Sequence, residues 1–199
     1  MEETLCNVEF LKNNNIRISF SFGPWGGYLH PSLCPGTGML KPGRLHYPLV
    51  RLRPATLSDL EEMIEIERSS FGEQSYRPEL IEQLLTDRGF HNVIVEEEGR
   101  KVGYATYFED ARRKRARLVT IAVVPDRRDR GMARAMLIFL EREMAKLGLR
   151  TVSLEVGTAN EPAKSLYLSL GYKIEGTVPD YYGKGKDAYY MEKPVEGRS

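Results

Sequence analysis

From residue 48 onward the chain switches between two hydrophobic periods. Leu49, Val50 and Leu52 interleave with Arg51 and Arg53, a period near two that predicts a strand over 49–53. Thr56 or Ser58 can cap a helix in which Leu57, Leu60, Met63, Ile64 and Glu67 recur at helical spacing. After a loop over 69–77, a second helix starts near Pro78 and turns Leu80, Ile81, Leu84 and Leu85 inward. Two hairpin strands follow at 92–97 and 102–108, joined at Glu98-Gly99-Arg100. An apolar strand at 117–124 leads to a helix over 131–146 that Gly148 ends. A strand at 151–156, a short helix at 163–170 ended by Gly171, and strands near 172–177 and 188–192 complete the pattern. The order β-α-α-β-β-β-α-β-α-β-β predicts an α+β domain over 48–195, a mixed sheet with helices on both faces and no internal repeat.

Residues 1–47 carry a different signal. Asn13-Asn14-Asn15, Gly23-Pro24-Trp25-Gly26-Gly27 and Pro35-Gly36-Thr37-Gly38 are turn chemistry with little periodicity, which predicts a loosely ordered extension. Phe20, Phe22, Trp25 and Tyr28 are aromatics able to dock on a domain surface. The uncharged stretch at 18–40 has the length of a membrane span, but Pro24, Pro31 and Pro35 break it too often for a lipid-facing helix. Met1-Glu2-Glu3-Thr4 lacks the basic start of a signal peptide, so the expected location is cytoplasmic. Residues 196–199 read as a tail.

A chain of 199 residues suits one ordinary domain, and its 41 % hydrophobic and 29 % charged composition is that of a globular protein. The net charge of +1 excludes a global nucleic-acid signature. Charge is nonetheless locally uneven, with Arg112, Arg113, Lys114, Arg115 and Arg117 in one basic cluster and Arg127, Arg128, Arg130 and Arg134 in another. No aromatics interleave the first cluster, so nucleic-acid recognition is not specifically indicated. Cys6 and Cys34 are too few for a disulfide framework or a metal site, and whether they pair stays open.

Chemistry first shows in the second cluster. The apolar strand stops at Pro125, and Asp126-Arg127-Arg128-Asp129-Arg130-Gly131-Met132-Ala133 opens directly into a helix. Such a turn leaves several main-chain N–H groups unpaired at the positive end of the helix dipole, a site suited to a phosphate or pyrophosphate. Alone the pattern is weak: no Gly-Lys-Ser/Thr follows as in a Walker loop, and it is not a Gly-x-Gly-x-x-Gly turn. Two later segments strengthen it. Ser153-Leu154-Glu155-Val156 is followed by Asn160-x-x-Ala163-x-x-Leu166-Tyr167, and then Asp180-Tyr181-Tyr182 precedes Asp187-Ala188-Tyr189-Tyr190-Met191.

With these motifs, residues 49–193 resemble the GNAT acyltransferase superfamily, and within it the ribosomal-protein alanine N-acetyltransferases and archaeal protein N-terminal acetyltransferases. The resemblance implies a partly splayed GNAT sheet, acetyl-CoA as cosubstrate and a peptide or protein N-terminus, such as that of a ribosomal protein, as acceptor. Main-chain N–H groups of Arg128, Asp129, Arg130, Gly131, Met132, Ala133 and Arg134 would hold the pyrophosphate, with Gly131 allowing close approach. The strand at Ile121, Ala122 and Val123 would part from its neighbour at 151–156, pair with the pantetheine arm and stabilise the oxyanion. Asn160 would bond the same arm, or simply cap the following helix. Glu155 would act as general base through water, and Tyr167 as the acid protonating the departing thiolate. An α-amino group, with a pKa of about 7.7–8.0, needs little help to shed its proton, whereas a lysine at about 10.4 needs more. Tyr181 and Tyr182 would cover the peptide entrance, with Phe71 and Tyr76 on the opposite wall.

The chain departs from close relatives in having Gly157 where an arginine is common, and in lacking a Pro-Trp pair after the first helix. Two other readings compete with N-terminal acetylation. One is a lysine or small-amine acetyltransferase on the same scaffold, for which an acidic cleft would suit polyamines. The other is a non-catalytic acyl-CoA or RNA-binding protein.

Overall fold

The computed structural model describes residues 4–10, 16–22 and 50–195. Its strands are β1 (Thr4–Phe10), β2 (Ile16–Phe22), β3 (Val50–Pro54), β4 (Phe90–Glu97), β5 (Arg100–Asp110), β6 (Arg115–Val123), β7 (Thr151–Gly157), β8 (Lys173–Val178) and β9 (Ala188–Pro194). The helices are α1 (Leu60–Phe71), α2 (Pro78–Thr86), α3 (Met132–Lys146) and α4 (Glu161–Ser169). All nine described strands share one sheet in the order β2-β1-β3-β4-β5-β6-β7-β9-β8.

Every element expected from residue 49 onward is present, and β3 to β9 with the helices form the expected mixed α+β sheet. Two strands were not expected. β1 and β2 pair antiparallel from Thr4↔Phe22 to Phe10↔Ile16, and β1 lies against β3 at Cys6↔Leu52 through Val8↔Val50. The sheet therefore reaches into the segment read as a loose extension, whose other residues, like the tail at 196–199, lie outside the described ones.

Six consecutive positions of β5, from Val102 to Tyr107, are buried, so both faces of this strand are covered. α1 and α3 both pack against it. α3 buries Met132, Ala135, Met136, Phe139, Leu140 and Met144, one stripe at helical spacing. Gly103 is required at the β5–β6 contact, since a Cβ there would meet the Ala122 carbonyl oxygen at 2.8 Å. Among the described residues no helix is long and apolar enough to cross a membrane.

The entry into α1 is fixed electrostatically. Asp59 is fully buried and accepts from the Arg53 guanidinium at 2.7 and 2.8 Å, from the Thr56 N–H at 2.8 Å, and pairs with Lys101 at 2.8 Å. The Arg53 hydrogen bond holds its carboxyl well below the usual carboxylate range, outweighing the opposing effect of burial. This network ties β3, β5 and the start of α1 together beside the sheet.

One irregularity positions the site. Along β5–β6, Thr106 faces Thr120 but Tyr107 faces Leu118, so Val119 is an extra residue in β6. Such a bulge bends its strand and increases local twist. It sits where β6 leaves β7.

Candidate active site

β6 and β7 pair in parallel only at Arg115↔Thr151, Ala116↔Val152 and Arg117↔Ser153. Past that point β6 stays paired to β5, and β7 to β9 as far as Gly157↔Ala188. The two strands therefore diverge, leaving a seam lined by residues 118–123 and 154–157. The Val124 N–H bonds the Val102 carbonyl at 3.0 Å. Main-chain groups alternate along a strand, so Ala122 also faces β5, while Ile121 and Val123 turn theirs into the seam. The Val123 carbonyl is occupied by the Ser70 hydroxyl at 3.3 Å and Arg128 Nε at 3.1 Å.

The turn beyond β6 has the conformation an anion site needs. Asp129 and Gly131 adopt φ of 60° and 78°. Gly131 is the N-cap of α3, makes no side-chain capping bond, and no acid stands in the first helical turn. Among the described residues, the N–H groups of Asp129, Arg130, Gly131, Met132, Ala133 and Arg134 find no acceptor. Consecutive unpaired donors at a helix start concentrate positive potential at one point.

The arginines around this turn work within the protein. Arg128 reaches back to Val123 and, at 3.1 Å, to the Ser70 carbonyl, fastening the turn to the end of α1. Arg127 pairs with buried Glu97, and Arg130 lies 3.9 Å from the same carboxylate. Arg134 bonds Ser169.

A second cluster forms at the opposite end of the seam. Glu155 turns its carboxylate to Arg117, at 3.0 Å from the guanidinium and 3.1 Å from Nε, and the Tyr181 hydroxyl lies 3.4 Å away. Arg117 also donates to the Tyr181 hydroxyl at 2.8 Å, and the Tyr182 hydroxyl donates to the Glu155 carbonyl at 3.2 Å. The two tyrosine rings meet edge to face at 4.7 Å. Burial pushes the Tyr182 phenol up to about 12, and the nearby Tyr181 and Tyr76 phenols add to the shift. Burial also raises the Tyr76 phenol, which feels Glu67, Tyr181, Arg117 and Glu155. Arg117, Glu155, Tyr181 and Tyr182 are thus joined in one cluster, with Tyr76 within electrostatic reach of it.

Gly157 has a part in this arrangement. A Cβ there would lie 3.7 Å from the Tyr182 ring, so a long side chain would leave the strand straight into that ring. Phe71, the last residue of α1, is 39 % exposed and its ring pairs with no other among the described residues.

Tyr167 lies in α4 with its ring buried, edge-on to Tyr172 at 5.5 Å. Among the described residues its hydroxyl makes no hydrogen bond. Burial, with the Tyr182 phenol adding, raises its pKa well above the ordinary phenol value. Asn160 is the N-cap of α4, and its Oδ1 accepts from the Ala163 N–H at 3.2 Å. The capping role is therefore visible, and the side-chain NH2 is left to donate elsewhere.

Arg117 was legible only as part of a charge run, and its pairing with a residue 38 positions away has no local signature. Glu67 was read as one member of a helical stripe. It is buried, accepting from the Tyr104 hydroxyl at 2.6 Å and the Tyr76 N–H at 3.0 Å.

Comparison with known proteins agrees with this geometry. Residues 60–172 match the acetyltransferase (GNAT) family. The N-alpha-acetyltransferase of Sulfurisphaera tokodaii is 30 % identical over 156 residues, covering 73 % of this chain and 93 % of that protein. The structure of the ribosomal-protein-S18-alanine N-acetyltransferase from Escherichia coli is similar at a TM-score of 0.68 and 25 % identity, covering 75 % of this chain and 96 % of that one. The spermidine/spermine N-acetyltransferase SpeG from Vibrio cholerae shares the fold at a TM-score of 0.62 and 22 % identity, over 73 % of this chain and 92 % of its own.

Proposed function

This chain belongs to the acetyltransferase (GNAT) family, whose cosubstrate is acetyl-CoA, and we propose that it acetylates the α-amino group of protein N-termini. The observation that carries the reading is the seam between β6 and β7. One lip offers the main-chain groups of Ile121 and the N–H of Val123, and the other presents Glu155 beneath a cover of tyrosines.

In this reading the pyrophosphate of acetyl-CoA rests on the N–H groups of residues 129–134, the Arg128 N–H expected beside them being taken by the Pro125 carbonyl at 3.3 Å, and the pantetheine arm lies along β6 as an added strand. Asn160 donates to the arm from its free amide. The peptide enters between Tyr76 and Phe71 on one side and Tyr181 and Tyr182 on the other. Its amine nitrogen bonds to the thioester carbon and gives up a proton through water to Glu155. A main-chain N–H of β6 stabilises the oxyanion. Collapse of the tetrahedral species breaks the carbon–sulfur bond, and the thiolate takes its proton from Tyr167. No covalent enzyme intermediate is needed.

The cluster argues against polyamines. A polycation needs an acidic cleft, yet Arg117 already neutralises the Glu155 carboxylate that faces the tyrosines. CoA release measured with peptides beginning in Ala, Ser, Met-Glu and Met-Leu tests the reading, beside spermidine and an amino-blocked peptide with an internal lysine. Turnover is expected on free N-termini only. Equal or faster turnover of spermidine or the blocked peptide would assign the site to another amine.

The turn has its own test. In Gly131→Val a β-branched residue is forced to positive φ, at a cost of roughly 1–2 kcal/mol borne by the turn. The KM for acetyl-CoA should rise about tenfold with the peptide KM unchanged. Initial rates against both substrates, with a melting curve to confirm folding, read the result. An unchanged acetyl-CoA KM would move the pyrophosphate elsewhere.

A further inference from the structure

We infer that Glu67 is a positioning residue for the peptide side of this site, its buried carboxylate fastening the 72–76 loop to β5, the strand that backs the β6 lip of the seam. The inference rests on the peptide reading above. Glu67 is 2 % exposed, in α1, and touches neither the seam nor the tyrosine cover directly. Its two oxygens serve different structures. Oε1 accepts from the Tyr76 main-chain N–H at 3.0 Å, and Oε2 accepts from the Tyr104 hydroxyl of β5 at 2.6 Å. Tyr104 is fully buried, and at its position in β5 it lies opposite Ala122 of β6, the residue after Ile121. Two hydrogen bonds on one carboxylate therefore join the loop, through α1, to β5, the strand on which the β6 lip of the seam is paired.

The loop gains a second tie at the same place. The Ser75 hydroxyl donates to the Glu67 carbonyl at 3.3 Å and to the Gly72 carbonyl at 2.6 Å. Main chain and side chain of one helical residue thus hold two successive loop residues. The Tyr76 phenol so held lies within electrostatic reach of the Tyr181 and Tyr182 phenols, the members of each pair disfavouring one another's ionisation. A buried carboxyl is costly unless its oxygens are bonded, and burial does raise the Glu67 carboxyl above its ordinary range. An apolar residue would fill this position of the α1 stripe without that cost, so retaining a double acceptor here serves the loop.

The test compares Glu67→Leu with Glu67→Gln. Leucine keeps the bulk and removes the acceptor for the Tyr76 N–H. It should raise the peptide KM about tenfold and leave the acetyl-CoA KM within about twofold. Glutamine keeps a carbonyl for Tyr76 and should restore the peptide KM. Hydrogen exchange at the Tyr76 amide, read on the protein without substrates, should quicken about tenfold in Glu67→Leu and not in Glu67→Gln. Should Glu67→Leu fail to fold, Tyr104→Phe is read instead and should move both quantities in the same direction by about threefold.

A folded Glu67→Leu protein with unchanged Tyr76 exchange, or with both substrate KM values raised equally, overturns the inference. If the parent protein turns over no free N-terminus, it is the peptide reading that falls. The exchange measurement then still decides whether Glu67 holds the loop.

Discussion

Glu155→Gln is expected to lower kcat by at least about a hundredfold at neutral pH, within the range for losing one general base. The amide has nearly the same shape and still accepts a hydrogen bond, but it cannot take up the proton that the attacking amine must lose. Folding should be almost unaffected. The lost ion pair is with Arg117, whose side chain is 50 % exposed, so its guanidinium is still solvated when the partner charge is removed. The acetyl-CoA KM should also hold, because the turn at residues 128–134 lies at the other end of the seam. Raising the pH should narrow the deficit, since an α-amino group above about pH 8 is already deprotonated. Steady-state rates between pH 6.5 and 9.5, as about the range on either side of that value, would show it. A variant retaining half the parental kcat would leave Glu155 as no more than a partner for Arg117.

Tyr167→Phe should lower kcat about a hundredfold by removing the proton that converts a thiolate into a better leaving thiol. The ring stays, so its edge-on packing with Tyr172 at 5.5 Å persists, and a purely structural tyrosine would tolerate the change. Because burial raises this phenol, it remains protonated throughout the working range. The sign follows: a raised pKa keeps the acid form available as pH climbs, so the parental rate should show no alkaline decline from Tyr167 below about pH 10, the ordinary phenol value. The variant should keep the same profile at a lower level. A variant as fast as the parent would remove Tyr167 from the chemistry.

The elements were legible wherever hydrophobic periodicity and punctuation agreed. Pro78 opens α2, Gly171 follows α4, and the Pro125 to Gly131 run announces a strand-to-helix turn. Local sequence sufficed because those effects act within one turn of chain. The hairpin of β1 and β2 had a period-two signal in Ile16, Ile18, Phe20 and Phe22, masked by the loop residues on either side. Glu155, Tyr181 and Tyr182 meet because the fold brings β6, β7 and the segment before β9 to one end of the seam. Arg117 and Glu67 escaped because their meaning lies in partners 38 and 37 positions away, on other strands. The bulge at Val119, which bends β6 away from β7, likewise appears only when two strands are aligned.

The pairing of β1 on β3 also has a bearing on how the molecule keeps to itself. Without the first two strands, β3 would be a border of the sheet, with the main-chain groups of Val50 to Leu52 that now face β1 open to any other polypeptide. A version trimmed to begin at residue 48 would keep every group assigned to chemistry, yet it would offer a template for self-association. Residues that look dispensable for turnover would then decide whether the enzyme stays dispersed at high concentration.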